Sequence, residues 1–166
     1  MTVPLDDPEF LPPRKDRLLR ERVHDTYKVR HKLPEPTVCP QCSAVYHDGR
    51  WQWASTPLQA HEEMCPACHR VRDKYAGGSL RVSGAFALQH RPEVINIARN
   101  EETRAKAEHP LERIIEIEEG DDHLLITTTN PHLARGIGEA LHRAYHGDLD
   151  FHYVEETDLL RVKWSR

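Results

Sequence analysis

No apolar stretch in the 166 residues approaches the roughly 18 needed to cross a bilayer, and apolar residues make up only 38% of the chain. The first residues carry Asp6, Asp7 and four early prolines, and they lack the apolar core of a signal peptide. A soluble, cytoplasmic protein with no membrane partner is the expectation. Cysteine is scarce, with four in all. Once these are paired, no fifth thiol is left to act as a nucleophile or sensor. In a reducing compartment paired cysteines are more often metal ligands or redox groups than disulfides. Internal repeats and low-complexity tracts are also absent.

Catalytic motifs are missing as well. His61-Glu62-Glu63-Met64-Cys65 lacks the second histidine of a zincin. Gly136 and Gly138 fall inside a predicted helix and lack the third glycine of a dinucleotide loop. His142 and His146 are four apart on that helix, a spacing that chance produces among twelve histidines. No Ser/His/Asp grouping emerges, so there is no catalytic residue to name and a non-enzymatic protein is expected.

Charge is present but unevenly placed. Net charge is −4, yet between Leu11 and Leu33 there are eight basic residues (Arg14, Lys15, Arg17, Arg20, Arg22, Lys28, Arg30 and Lys32) against Asp16, Glu21 and Asp25. From Glu101 onward the balance reverses, with eight basic against fifteen acidic residues. Such asymmetry separates a basic arm from an acidic body. Residues 1–36 are read as that arm, flexible and rich in proline. Leu19, Val23 and Tyr27, four apart, form a narrow stripe that could become helical on a partner. Phosphate neutralisation explains the concentration of cations, whereas a solvated charged coil explains it without a ligand.

Residues 37–78 hold the four cysteines as Cys39-Pro-Gln-Cys42 and Cys65-Pro-Ala-Cys68, with 22 residues between the inner pair. Two C-x-x-C knuckles at this separation suit a closed tetrahedral zinc site, structural because no position is left for water or substrate. In a module this small the metal would stand in for a core. A dithiol redox centre or an iron–sulfur site are the alternatives, but no β-α unit precedes either pair. His69 could replace a ligand; a surface histidine is the simpler reading. Between the pairs, Asp48-Gly49 marks a two-residue hairpin. Thr56 and Pro57 mark the start of a short helix. Arg70, Arg72 and Lys74 recur every second residue, so an extended strand would put them on one face. With Trp51, Trp53 and Tyr46 on the hairpin, they would form a cationic and aromatic surface suited to phosphates and bases. Alternatively, Trp51 and Trp53 pack the ribbon's small core.

Residues 79–166 alternate strands and helices. A strand is predicted over 79–89, with Leu80, Val82, Phe86 and Leu88 on one face, and a helix over 91–109 with Val94, Ile97, Ala98 and Ala105 inward. Two strands follow around a Gly120-Asp121-Asp122 turn. A helix capped by Asn130 then buries Leu133, Ile137, Ala140, Leu141 and Ala144, and two closing strands turn near Glu155 to Asp158. The order is that of a ferredoxin-like β-α-β-β-α-β domain with the last strand as a hairpin extension. The fold class is therefore α+β, a four-cysteine zinc ribbon followed by a ferredoxin-like domain.

The two C-P-x-C motifs, then Gly77-Gly78 and a strand running into Gln89-His90-Arg91, are similar to the zinc-binding part of the archaeal and eukaryotic adaptor that binds and exports the large ribosomal subunit. The segment HLARGIGEALHRAYHGDLDF also resembles that family's later small-residue, arginine-rich helix and strand. That family is longer and carries further zinc ligands, so this chain looks like a compact bacterial relative, of a type associated with stress and oxygen limitation. The resemblance implies zinc on Cys39, Cys42, Cys65 and Cys68 and a ribosome or ribosomal-RNA partner, and transfers no RNA contact. The expected function is ribosome or structured-RNA binding, as a stress, hibernation or assembly factor. A protein-interaction adaptor with a purely structural zinc is the alternative.

Overall fold

The computed structural model describes Tyr27, Val29 and residues 31–166. Arg14, Lys15, Arg17, Arg20, Arg22, Lys28 and Arg30 of the basic arm, with Leu19 and Val23 of its stripe, lie outside the described residues. Of the arm's cations, Lys32 alone is described, and it is exposed.

The cysteine module is a small sheet of four short strands, β1 (Thr37–Val38), β2 (Val45–His47), β3 (Arg50–Gln52) and β4 (His61–Glu62), in the order β3-β2-β1-β4. The hairpin expected at Asp48-Gly49 joins β2 to β3, and both turn residues have positive φ (52° and 74°) as a tight primed turn requires. The helix expected from Thr56 does not form. The amides of His61 and Glu63 instead bond to the carbonyls of Pro36 and Val38, which draws this stretch into the sheet as β4, parallel to β1. The second cysteine pair opens α1 (Pro66–Asp73).

The body contains β5 (Gly78–Ser83), α2 (Ala85–Gln89), α3 (Arg91–Glu108), β6 (Ile114–Glu119), β7 (His123–Thr128), α4 (Pro131–Tyr145), β8 (Asp148–Val154) and β9 (Leu159–Ser165). The strand expected over 79–89 stops at Ser83. Gly84, at φ 97°, turns the chain, and Phe86 and Ala87 donate to the Arg166 carbonyl as α2 begins. Asn130 caps α4 as expected, its side chain accepting from the Leu133 amide at 3.0 Å. Ala144, expected inside, is exposed in the last turn.

The five-stranded sheet runs β6-β7-β5-β9-β8. The ferredoxin-like order expected from the sequence makes the last strand a hairpin extension at the outside of the sheet. The order is reversed: β9 lies against β5, parallel to it, and β8 takes the edge. Burial explains the exchange. β9 offers Leu160, Val162 and Trp164, all essentially inaccessible, whereas the matching face of β8 offers only half-buried Leu149, Phe151 and Tyr153. Its other face carries Asp148, Asp150 and His152, charges and polarity that suit an edge. The core combines these β9 residues with Leu80, Val82, Leu124 and Ile126 from the sheet and Val94, Ala98, Leu133, Ile137 and Leu141 from α3 and α4. One face of the sheet is thus covered by helices.

Gly77 and Gly78 join the two modules. Neither has positive φ; close approach is what they supply. A Cβ on Gly77 would lie 2.6 Å from the Thr129 carbonyl oxygen, and one on Gly78 would lie 2.7 Å from Ala134 Cβ. Gly78→Val is expected to destabilise the protein by about 1–3 kcal/mol, the usual cost of overpacking, with bound metal unchanged; urea denaturation with metal analysis checks both.

Candidate metal centre

Local structure brings the knuckles together. Around Cys39 the chain turns back on itself, with the Ser43 amide on the Cys39 carbonyl and Ser43 at φ 65°. Cys65 is the N-cap of α1, its sulfur accepting from the Cys68 amide at 3.4 Å, and Pro66 occupies the first turn where no amide is needed. The Cys65 amide in turn donates to Cys39 Sγ at 3.3 Å. The thiols therefore converge at the positive end of a helix.

Cys39 and Cys68 sulfurs are 3.7 Å apart, those of Cys42 and Cys65 3.8 Å, and all four lie within 4.8 Å of one another. A tetrahedral ion with bonds of about 2.3 Å to thiolate requires sulfur–sulfur edges of about 3.8 Å. The cluster fits a four-coordinate metal, and the separations are far too long for disulfides. His69 is not among the clustered ligands; its Nδ1 lies 3.2 Å from Arg72.

Arg113 completes the centre from the body. This half-buried guanidinium donates to Cys68 Sγ at 3.1 Å, to Cys42 Sγ at 3.0 Å and to Cys65 Sγ at 3.6 Å. Its Nε is fixed by the Pro110 carbonyl at 2.8 Å, and its amide donates to Thr129 Oγ1 at 3.0 Å. Burial opposes its charge, but the hydrogen bonds to Cys68 and Cys42 outweigh it and hold its pKa above the ordinary arginine value. The hydrogen bond from Cys65 lowers Cys42 to about 4, against burial and with help from the Ala44 backbone and Arg113. The same bond, then burial, pushes Cys65 up, and burial raises Cys68 against the pull of Arg113. Four thiolates around a divalent ion carry a net charge of −2, which one guanidinium halves.

The predicted cationic surface is assembled differently. Because Cys65 and Pro66 start a helix, Arg70 and Arg72 are about 200° apart around it, and they share no face with each other. Arg70 lies over the rings of Tyr27 and Tyr75, at 4.9 and 5.4 Å, docking the end of the arm on α1. Arg72 pairs with Asp73 at 2.9 Å, and Lys74, in the left-handed C-cap, pairs with Glu116 at 3.2 Å. Trp53 is 39% exposed but tied down, its indole donating to the Lys106 carbonyl at 2.6 Å. Trp51 packs against the cysteine cluster and edge-on to Tyr46, at 5.5 Å between ring centres.

Two sets of residues escaped the sequence reading. Arg113 sits 45 residues from Cys68 with no motif around it. Arg161 and Lys163 lie on the sheet face opposite the helices, with Arg81 directly beside Lys163 in the β5–β9 register. Their alternation with Leu160, Val162 and Trp164 was the available signal.

Cys65→Ser is expected to abolish stoichiometric metal binding and to unfold the ribbon while the larger sheet persists; elemental analysis and amide exchange report the two effects. Arg113→Gln should keep the metal but weaken it by 10–100-fold, the usual loss for a residue supporting ligands, as read by competition with a chromogenic chelator.

The described residues contain no helix long and apolar enough to cross a membrane. No protein-family model, curated protein or solved structure matches the chain, so its functional reading rests on this geometry and on the charge pattern.

Proposed function

We propose that the chain is a non-enzymatic zinc-binding protein that docks on the ribosome or a structured RNA, in a stress, hibernation or assembly role. Zinc is the ion that four thiolates in tetrahedral array favour, and a four-sulfur site flanked by an arginine leaves no coordination position for a substrate. The metal's task is then to fix the ribbon to the body. Such a centre fits a binding scaffold better than a catalyst.

The observation that carries the RNA reading is the face of the five-stranded sheet that no helix covers among the described residues. At its middle stand Arg81, Arg161 and Lys163, all exposed. Arg161 and Lys163 make no ion pair or hydrogen bond among the described residues, and Arg81 has only a 3.7 Å contact with exposed Asp122. Arg81 and Lys163 are like-charged neighbours on adjacent strands, an arrangement unfavourable for the sheet itself; Asp150, opposite Lys163 on the edge strand, offsets part of it, and a polyanion would relieve the rest. The arm adds Arg14, Lys15, Arg17, Arg20 and Arg22 in sequence. Acids on both edges, Glu118 on β6 and Asp150 on β8, confine the cationic zone to a stripe.

Sedimentation of the tagged protein through sucrose gradients tests this, from growing and from starved or oxygen-limited cells. Co-migration with ribosomal particles is expected. Removing residues 1–26, or reversing charge in Arg161→Glu/Lys163→Glu, should weaken it at least tenfold, about 1.4 kcal/mol, and more steeply at low salt. Binding unchanged by both at matched salt, or a single protein partner without RNA, would establish the adaptor reading instead.

A further inference from the structure

Where the ribbon meets the body there is a cleft of about 680 Å³, within the usual range for small-molecule sites. Its walls come from both modules: Leu33 before β1, Tyr46 and Trp51 of the hairpin, Pro66 at the head of α1, and Pro110 and Leu111 after α3. Leu33 and Pro110 are buried, and the rest of this lining is half-buried, which gives the cleft an apolar and aromatic floor. Around the rim stand Arg50, His109 and His132, all exposed, with Glu112 as the one acid.

Three features identify an occupant. The first is Trp51, anchored by the cysteine cluster and by its edge contact with Tyr46, so that ordering the ring costs nothing on binding. Neither its indole N–H nor the Tyr46 hydroxyl has a hydrogen-bond partner among the described residues, and both are open to solvent, so each is available to a ligand. The second is Arg50, whose guanidinium forms no ion pair or hydrogen bond among the described residues. The third is the rim, in which ring nitrogens and a guanidinium outnumber the carboxylate. A planar, hydrogen-bonding ring with an attached phosphate meets all three requirements: it stacks on an aromatic floor, takes the free donors, and brings an anion to Arg50.

We infer that this cleft is a nucleotide-binding site which takes one unstacked nucleotide of single-stranded RNA, its base against Trp51 and its phosphate at Arg50. The inference deepens the RNA reading above and rests on it for the polymer. Leu33 on one wall directly follows exposed Lys32, so a strand leaving the cleft on that side meets a further cation. An RNA-binding sheet face and a base-reading cleft would then act together, the first supplying charge and the second a preference for unpaired nucleotides.

The test uses the full metal-loaded chain and a fluorescently labelled single-stranded RNA hexamer, with mononucleotides and a poly-glutamate peptide as separate arms. Binding of the hexamer is expected, weakened at least tenfold by Arg50→Glu. This exposed side chain has no ion-pair or hydrogen-bond partner among the described residues, so the variant is expected to fold. Trp51→Leu keeps apolar volume against the cysteines and should cost at least fivefold with unchanged metal content. A duplex of the same sequence should bind more weakly than the single strand. Hexamer affinity unaltered by both substitutions would overturn the cleft while leaving ribosome sedimentation, read separately, to judge the broader reading. Saturation by mononucleotide but not by hexamer would make the occupant a free nucleotide and overturn the polymer. Binding of poly-glutamate without RNA would overturn both nucleotide sources.

Discussion

One side chain, Arg113, makes a single unit of two modules that are each too small or too open to be complete alone. The ribbon's core is small: the cluster of Cys39, Cys65, Ala67 and Cys68, with Leu33, Val38, Ala44 and Val45 as its other buried apolar residues. Thiolates gathered at such a site repel one another, and a divalent ion leaves the assembly anionic. Arg113 brings the compensating charge from the body, oriented by the Pro110 carbonyl. The dependence is mutual. Away from the thiolates Arg113 would be a half-buried cation with carbonyl contacts but no anion, an arrangement that costs several kcal/mol when a partner is removed. Metal, ribbon and body orientation are therefore coupled through three N–H···S contacts.

The consequences reach outward from that point. The loop that presents Arg113 also presents Pro110 and Leu111, and Leu111 packs against the cysteine cluster. Trp51 touches the same cluster from the ribbon side. Two of the cleft's walls are consequently positioned by the metal centre itself, and the further tie of Trp53 to Lys106 keeps the hairpin from swinging away. A four-cysteine cluster able to hold a metal, placed at a module boundary, does more than close a loop; it sets the relative position of surfaces that belong to different parts of the sequence.

What could be read from the sequence followed the range of the interactions concerned. The C-P-x-C pairs, the Asp48-Gly49 turn and the Asn130 cap are each specified within about five residues, and all three form as expected. Alternation placed Leu80 and Val82 on a strand correctly and carried it too far, to Phe86 and Leu88, which lie in α2; periodicity also carries no information on which strand lies beside which. The exchange of β8 and β9 is decided by competition for the interior, won by the strand that carries a tryptophan. The basic run at Arg70, Arg72 and Lys74 misled for a related reason. Its period of two is visible, yet a sulfur N-cap and a proline just before it impose a helix, and no residue within the run reports that. Arg113 was invisible because its partners lie up to 71 residues away in sequence.

The distribution of charge on the body argues against treating its negative total as a description of its surface. Acids dominate the count from Glu101 onward, yet the register places Glu118 and Asp150 on strands at or near the two edges and Arg81 beside Lys163 at the centre. At a Debye length of about 8 Å in physiological salt, a ligand lying along the middle strands feels those cations far more than the distant acids of the turns. Acidic edges around a basic stripe also discourage edge-to-edge pairing with other sheets and narrow the orientations in which a polyanion can lie. The same net charge, spread evenly, would do neither. It is the alternation of β9, with Arg161 and Lys163 facing away from Leu160, Val162 and Trp164, that lets one strand complete the core on one side and offer cations on the other.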